Sequence, residues 1–337
     1  MAATLKDIAD HLNLSISTVS YALNGGPKPV STAVRESVIR KAAELGYRPN
    51  RIAKSLVTRR TYTLGVVPVA VDVDFLLYPN VLFALNGIFN AAAQTRQDLM
   101  IFTAHDRNKS NAIAHDLLDS RIDGVVFVCP RSDSEAIKHI SQTGLPFTVV
   151  LDGSISPHFT MDNAAGAKMA LQHLYDLGHR LIAHVSGDFG IEDGVIRHRA
   201  YLEFMRDHEL EIHPGYVIPG NYWLTAGFAA GRKYVDLKPR PTAVFCANDG
   251  MAIGFLDAMA EYGLECPKDV SVIGFDDAPP GGPSPVLTSI RQPLGEMAAA
   301  AVHALVRQIE TGIVPESRQF GPTLIVRSST GPASTSP

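Results

Sequence analysis

Cysteine is scarce in this chain of 337 residues: Cys129, Cys246 and Cys266 are odd in number and far apart. That spacing excludes a disulfide framework and a cysteine zinc site. It leaves three small apolar side chains suited to a reducing compartment. Charge is modest, at 19% of residues against 46% hydrophobic, which excludes a mainly disordered chain. No apolar run approaches the ~18 residues of a membrane span. The opening Met1-Ala2-Ala3-Thr4-Leu5-Lys6-Asp7 lacks the basic-then-apolar layout of an export signal, so the expected location is the cytoplasm. A Gly-rich phosphate loop, a Gly-x-Ser-x-Gly elbow and a His-Glu-x-x-His pair are all missing. The twelve histidines are scattered, and His173 and His179 have no third ligand at a matching spacing. Asp276 and Asp277 are adjacent on a turn, where successive side chains point apart. The expectation is a protein that is not an enzyme and takes no metal and no cofactor.

The net charge of −4 conceals an asymmetry. Residues 1–60 carry ten Lys or Arg against four acids, a balance of +6, and the remainder stands at −10. A basic head on an acidic body suits a head that binds a polyanion, because Lys and Arg neutralise phosphates and release their counterions. The length allows two or three domains at roughly 100–200 residues each.

In the head, Leu5, Ile8, Ala9 and Leu12 recur at helical spacing, and Leu14, Val19, Ala22 and Leu23 repeat the pattern. Between the two sets, Asn13 tolerates the left-handed conformation that ends a helix, and Ser15 can cap the next one. Two short helices joined by so tight a turn form a helix-turn-helix. Gly25-Gly26-Pro27-Lys28-Pro29 is a loop. Ser31 caps a third helix, which runs to about Leu45 and stops at Gly46. Asn50-Arg51-Ile52-Ala53-Lys54-Ser55-Leu56 spans only two helical turns and needs a partner to hold it.

From Thr63 the pattern changes. The β-branched runs Leu64–Val67, Leu99–Thr103, Val125–Val128, Phe147–Leu151, Leu181–Val185, Ala243–Cys246 and Val270–Phe275 alternate with helical stretches. Those stretches cover roughly 80–94, 110–119, 133–142, 164–177, 195–207, 225–236, 250–262 and 294–311. This alternation predicts an α/β body of two doubly wound parallel-sheet halves, with a ligand in the cleft between them at the carboxyl ends of the strands. Residues 331–337 are small and polar and read as a disordered tail.

The layout resembles the LacI/GalR family of transcription regulators. In the head the resemblance rests on Thr4-Leu5-Lys6-Asp7-Ile8-Ala9, on Leu14-Ser15-x-x-Thr18-Val19-Ser20-x-x-Leu23-Asn24, and on Val30-Ser31. It continues through Leu45-Gly46-Tyr47-Arg48-Pro49-Asn50 and Ala53-Lys54-Ser55-Leu56. In the body it rests on Asp162-Asn163-x-x-Gly166-Ala167, Leu177-Gly178-His179 and Ala247-Asn248-Asp249, then Ile273-Gly274-Phe275-Asp276-Asp277 and Ile290-Arg291-Gln292-Pro293. Together these motifs cover about 4–328. The resemblance implies a helix-turn-helix domain over 1–49 and a hinge helix and linker over 50–61. A periplasmic-binding-protein-like body would follow over 62–330, with subdomains of about 62–160 plus 293–320 and 163–289 plus 321–330. It further implies a homodimer that binds double-stranded operator DNA as a repressor, answering to a small effector. The alternative is a sugar-binding transport or chemoreceptor protein without DNA binding, against which the head argues.

On that reading the second helix enters the major groove, and Ile16, Ser17 and Tyr21 reach base edges. Ser20, Asn24, Ser31, Thr32 and Tyr47 contact the phosphate backbone. In the hinge, Leu56 wedges between central base steps from the minor groove, with Asn50, Ala53 and Lys54 beside it. Lys54 departs from the more usual Arg. In the cleft, Arg197, Asp276 and Asn248 hold effector oxygens. Tyr222 or Trp223 covers the effector's apolar face, and Asp162 and Gln292 stand near the crossovers. Asn80 and Val81 replace a usual pair of aromatics. The amide of Asn80 favours a polar ligand, a mono- or oligosaccharide, over a flat purine. Gly153 stands where an Arg is common, and Asp277 is expected to be a cap.

Overall fold

A computed structural model describes residues 3–25, 28–48, 60–68, 79–102, 115–131, 134–278 and 284–333. The chain divides into two units, 1–61 and 62–337. In the first, α1 (Leu5–Leu12), α2 (Ile16–Asn24) and α3 (Thr32–Glu44) surround a small core of Ile8, Ala9, Val19, Ala22, Val38 and Ala42. Their ends are fixed locally. Thr4 and Asp7 form a reciprocal capping box at α1: the Asp7 N–H donates to the Thr4 hydroxyl at 3.3 Å, and the Thr4 N–H to the Asp7 carboxylate at 2.8 Å. Asn13 ends α1 in the left-handed region (φ 56°), and the Ser15 hydroxyl accepts from Thr18 N at 3.0 Å to open α2. The tight turn therefore follows from two side chains. Asn50, Ala53, Lys54 and Leu56 of the hinge lie outside the described residues.

The second unit holds two six-stranded sheets. The first contains β1 (Thr63–Pro68), β2 (Asp98–Ile101), β3 (Gly124–Val128), β4 (Phe147–Val150), β5 (His158–Met161) and β11 (Arg318–Phe320), in the order β11-β5-β4-β3-β1-β2. The second contains β6 (Ile182–Val185), β7 (Val217–Ile218), β8 (Ala243–Cys246), β9 (Ser271–Asp276), β10 (Thr288–Arg291) and β12 (Thr323–Ile325), in the order β12-β10-β9-β8-β6-β7. The pairs are parallel except β10 with β12. Helices α4 (Pro79–Gln94), α5 (Glu135–Ile140) and α10 (Leu294–Thr311) accompany the first sheet. Helices α6 (Asn163–Asp176), α7 (Glu192–Asp207), α8 (Leu224–Tyr234) and α9 (Asp249–Glu261) accompany the second.

Side-chain alternation explains why the strands read as unbroken apolar runs. In β8, Ala243 and Phe245 join the core under α6 and α7, while Val244 and Cys246 join the one under α8 and α9. A strand covered on both faces has no solvent side on which to place polar residues. The chain passes between the sheets after β5, after β10 and after β11.

Three expectations need correction. Residues 331–333 are not a disordered tail: the Gly331 carbonyl accepts from Ser271 Oγ at 3.2 Å and lies 3.0 Å from His179 Nε2, and Ala333 N donates to Leu177 O at 2.8 Å. Residues 334–337 lie outside the description. Asp277 is not a cap, because its carboxylate bridges Arg291 at 2.7 Å and Arg327 at 2.8 Å. The helix expected over 133–142 contracts to Glu135–Ile140, and half of the one expected over 110–119 lies outside the described residues.

Candidate functional site

On the head, Ile16 opens α2 with half of its surface exposed (50%), so it packs into no core. Ser17 beside it is exposed and lies 3.1 Å, oxygen to oxygen, from Ser15. Tyr21, one turn on, is half-buried, as is Ser20, and Asn24 is exposed at the end of α2. Ser31 is taken up in part by capping α3, accepting from Val34 N at 3.4 Å, with Thr32 exposed next to it. Tyr47 packs against the head core, and its N–H donates to Ala42 O at 2.8 Å. A helix start carrying an exposed isoleucine and exposed hydroxyl groups suits a groove that offers methyl groups and hydrogen-bonding edges.

In the body, the carboxyl ends of strands from both sheets converge. Backbone strain marks the place. Cys129 after β3, Leu151 after β4, Tyr222 after β7, and Asp276 and Asp277 at the end of β9 all have positive φ. Residues held in sparsely populated conformations cluster at ligand sites, where the surrounding structure enforces them.

Arg197 on α7 is the centre of this region. It is 2% exposed and lies over the Phe275 ring, 3.7 Å from the centroid. Its Nε donates to Asn163 Oδ1 at 2.9 Å, Nη1 to Ala247 O at 2.6 Å and Nη2 to Asp193 at 3.3 Å, with Asp276 at 3.6 Å from Nη1. Three of its five N–H donors are engaged, and two remain. Asp276 accepts from Gln292 Nε2 at 2.6 Å, and burial pushes its carboxyl group up to about 6 despite the guanidinium. Asp193 also accepts from Asn163 Nδ2 at 2.8 Å. Burial raises it to about 7 against the pull of Arg197, with Asp276 and Asp152 adding to the rise.

Asn248 is drawn into local structure. Its Oδ1 caps α9 by accepting from Met251 N at 2.9 Å, and its Nδ2 donates to Tyr222 O at 3.0 Å. One lone pair and one amide hydrogen are left. Tyr222 is wedged between Gly187 and Gly194, where any larger residue would collide with its hydroxyl. Trp223 immediately precedes α8, with its backbone N–H donating to Asn221 Oδ1 at 3.2 Å. Asp162 caps α6, accepting from Ala165 N at 2.9 Å, and Asn80 Oδ1 accepts from Val81 N at 3.0 Å. These last two lie at element ends and join none of the hydrogen bonds around Arg197.

Sequence reasoning did not single out Asp152 or Asp193. Asp152 is fully buried, and its Oδ2 has no partner among the described residues. The same holds for Tyr222 Oη and Gln292 Oε1. Buried polar atoms are almost always paired, so unpaired ones at the carboxyl ends of several strands point to a ligand. Among the described residues, Gly153 N donates to Glu192 Oε2 at 2.6 Å from one half to the other, and Arg131 approaches Asp188 at 3.8 Å. The signal that could have found Asp193 is its place one helical turn before Arg197.

Comparison with known proteins matches residues 4–50 to the model of bacterial regulatory proteins of the lacI family, and residues 171–330 to a periplasmic binding protein-like domain. The ribose operon repressor of Escherichia coli (strain K12) is 30% identical, covering 97% of this chain and 99% of its own. Catabolite control protein A of Priestia megaterium is 29% identical over 94% of this chain and 96% of its own. The lac repressor dimer bound to operator and the anti-inducer ONPF superposes with a TM-score of 0.84 at 25% identity, over 98% of this chain and 100% of that one. A complex of the transcriptional regulator CelR with cellobiose superposes with a TM-score of 0.74 at 28% identity, over 97% and 99%.

Proposed function

The chain belongs to the lacI family of bacterial regulatory proteins, and on that premise we propose that a polyhydroxylated small molecule in the body cleft controls its grip on operator DNA. It is a DNA-binding transcriptional regulator. The observation that carries the cleft reading is that Asp152 Oδ2, Tyr222 Oη and Gln292 Oε1 are all buried and unpartnered, each just past the carboxyl end of a strand, while Asp276, which pairs with Arg197, ends another. Arg197 supplies donors to hydroxyl oxygens, Asp276 and Gln292 accept from hydroxyl hydrogens, and Asn248 offers one of each. The protein acts in the cytoplasm as a homodimer, and its relatives are regulators rather than enzymes. Leu82, Phe83 and Phe89, exposed on α4, supply an apolar face of the kind a second copy covers.

The proposed coupling is mechanical. A ligand that touches both halves favours their closed arrangement, in which the Glu192–Gly153 contact between the halves is kept. The hinge precedes β1 directly in the chain, so closure changes the separation of the two hinges in a dimer and the packing that keeps them folded. Sugar binding then releases the operator.

The test is fluorescence anisotropy on the intergenic DNA upstream of the chain's own gene. Binding is expected to be specific for a near-palindrome and to fall steeply with salt, as phosphate contacts require. Removing residues 1–60 should abolish it. Absence of binding at every ligand condition would revive the transport-protein reading. Asp276→Asn should bind operator and no longer respond to the effector, and a full response from that variant would show the site to lie elsewhere.

A further inference from the structure

The charge in the cleft is out of balance. Asp152, Asp193 and Asp276 are each under a tenth exposed, and Glu192 stands beside them as a fourth carboxyl group. Opposing them among the described residues are Arg197, the imidazole of His158 near Asp152, and Arg131, which is turned to a further acid, Asp188, at 3.8 Å. Arg197 is committed to Asp193 and Asp276, with further bonds to Asn163 and Ala247, and makes no ion pair with Asp152. Asp152 Oδ1 accepts from Ser154 N at 2.9 Å and from the Ser154 hydroxyl, while Oδ2 has no partner. The thiol of Cys129 and the hydroxyl of Tyr222 border the same carboxylates and bring no positive charge.

Of the unsatisfied atoms at these strand ends, Ser186 Oγ and His158 Nδ1 can accept or donate, and none of the others is a donor only. Asp152 Oδ2 and Gln292 Oε1 only accept, and Tyr222 Oη can accept. A ligand that fills this place must donate more hydrogen bonds than it receives, and it lowers the cost of the buried carboxylates if it carries positive charge. No three acidic, histidine or cysteine side chains among the described residues are arranged to hold a metal ion, which directs the inference to an organic cation.

We propose that the effector is an amino sugar or a related amino polyol, its ammonium group held beside Asp152 and Asp193 and its hydroxyls by Arg197, Asp276 and Gln292. This rests on the reading of the cleft as a site for a polyhydroxylated ligand and narrows it to a cationic one. The ammonium group supplies three donors and one positive charge where acceptors and negative charge are in excess.

The experiment is calorimetry and thermal shift on the full chain at pH 7 with matched probes. These are D-glucosamine, D-galactosamine and D-mannosamine, each beside its neutral parent sugar and its N-acetyl form. At least one amine should bind tenfold or more tightly than both of its uncharged counterparts. Asp152→Asn and Asp193→Asn, checked for folding by circular dichroism, should bring that amine to the level of its parent sugar. A wild-type measurement at pH 5 keeps the test independent of how the variants fold. There Asp193 and Asp276 take up protons, and the preference for the amine should shrink at least threefold. Neutral sugars binding as well as or better than their amines would overturn this inference and leave the sugar reading standing. An amine preference that survives both substitutions, or is unchanged at pH 5, would overturn the assignment to these carboxylates. Binding by no member of either class would overturn the sugar reading and this inference together.

Discussion

At Asp193, burial and neighbouring carboxylates act against a single guanidinium, and the result is a group that holds its proton up to about pH 7. An unfolded aspartate loses its proton near pH 4. Between those values the folded chain binds more protons than the unfolded one, so stability falls as pH rises. The stabilisation is fully present below about pH 4 and is lost as pH passes through 7. Asp193→Asn removes the titrating group, and its melting temperature should fall less than that of the wild type between pH 4.5 and 7.5. A parallel fall in both proteins would contradict the assignment. His184 acts in the opposite sense: burial lowers it to about 3, so its contribution to stability grows as pH rises from 3 toward 6.5 and persists in the variant. On the head, Ile16 is half-exposed, so Ile16→Ala should leave the melting temperature of the isolated 1–61 segment nearly unchanged. Operator affinity should drop about fivefold, the order of one lost apolar contact of about 1 kcal/mol. Equal affinity of variant and wild type would remove Ile16 from the base-reading set.

Among the strands of the body, those that share an apolar core with both faces covered were readable, and those held by side-chain hydrogen bonds were not. β3, β4, β6, β8 and β9 are buried along their whole length, and each stands out as a run of Val, Ile, Phe or Ala. β10 escapes such reading because Thr288, Ser289, Ile290 and Arg291 hold one apolar residue among them. Its polar side chains are buried against Ser329, Thr330 and Asp249, partners between about 40 and 42 residues away in sequence. β7, β11 and β12 are two or three residues long and carry no period. The site divides in the same way. Arg197, Asn248, Asp276 and Gln292 stand in motifs, whereas Asp152 and Asp193 matter only because folding strips away their solvent. The hinge was legible only as sequence, and its role is argued from there. Leu56 ends a basic segment of two turns that is too short to be a stable isolated helix. A wedge acts on kinked DNA and on nothing in the free protein, so Leu56→Ala should keep effector binding while losing operator affinity and DNA bending. A circular-permutation gel assay showing equal bending by variant and wild type would sink the idea.

Across the whole molecule, effector and operator are linked through a single free energy, so each must change the other's affinity by the same factor. Such couplings are typically ~1–3 kcal/mol, and the contact proposed to hold the cleft closed is of that order. Gly153 N donates to the Glu192 carboxylate at 2.6 Å across the two halves, and a hydrogen bond to a charged group contributes about 1.5–3 kcal/mol. Arg131 and Asp188 also meet across the cleft, but both are largely exposed and 3.8 Å apart, so they contribute at most about 1 kcal/mol. Closure should therefore depend on Glu192 far more than on Asp188. The measurement is a thermodynamic cycle, with effector affinity determined in the presence and absence of operator. In Glu192→Ala the ratio of the two affinities should move toward one by roughly tenfold, because the closed state loses its main link. In Asp188→Ala the ratio should change by no more than about fivefold. Glu192→Gln separates hydrogen bonding from charge, since its amide oxygen still accepts from Gly153 N. It should keep most of the coupling even where it weakens a cationic ligand. A ratio unchanged in Glu192→Ala would show that the two halves report to the head by some other contact.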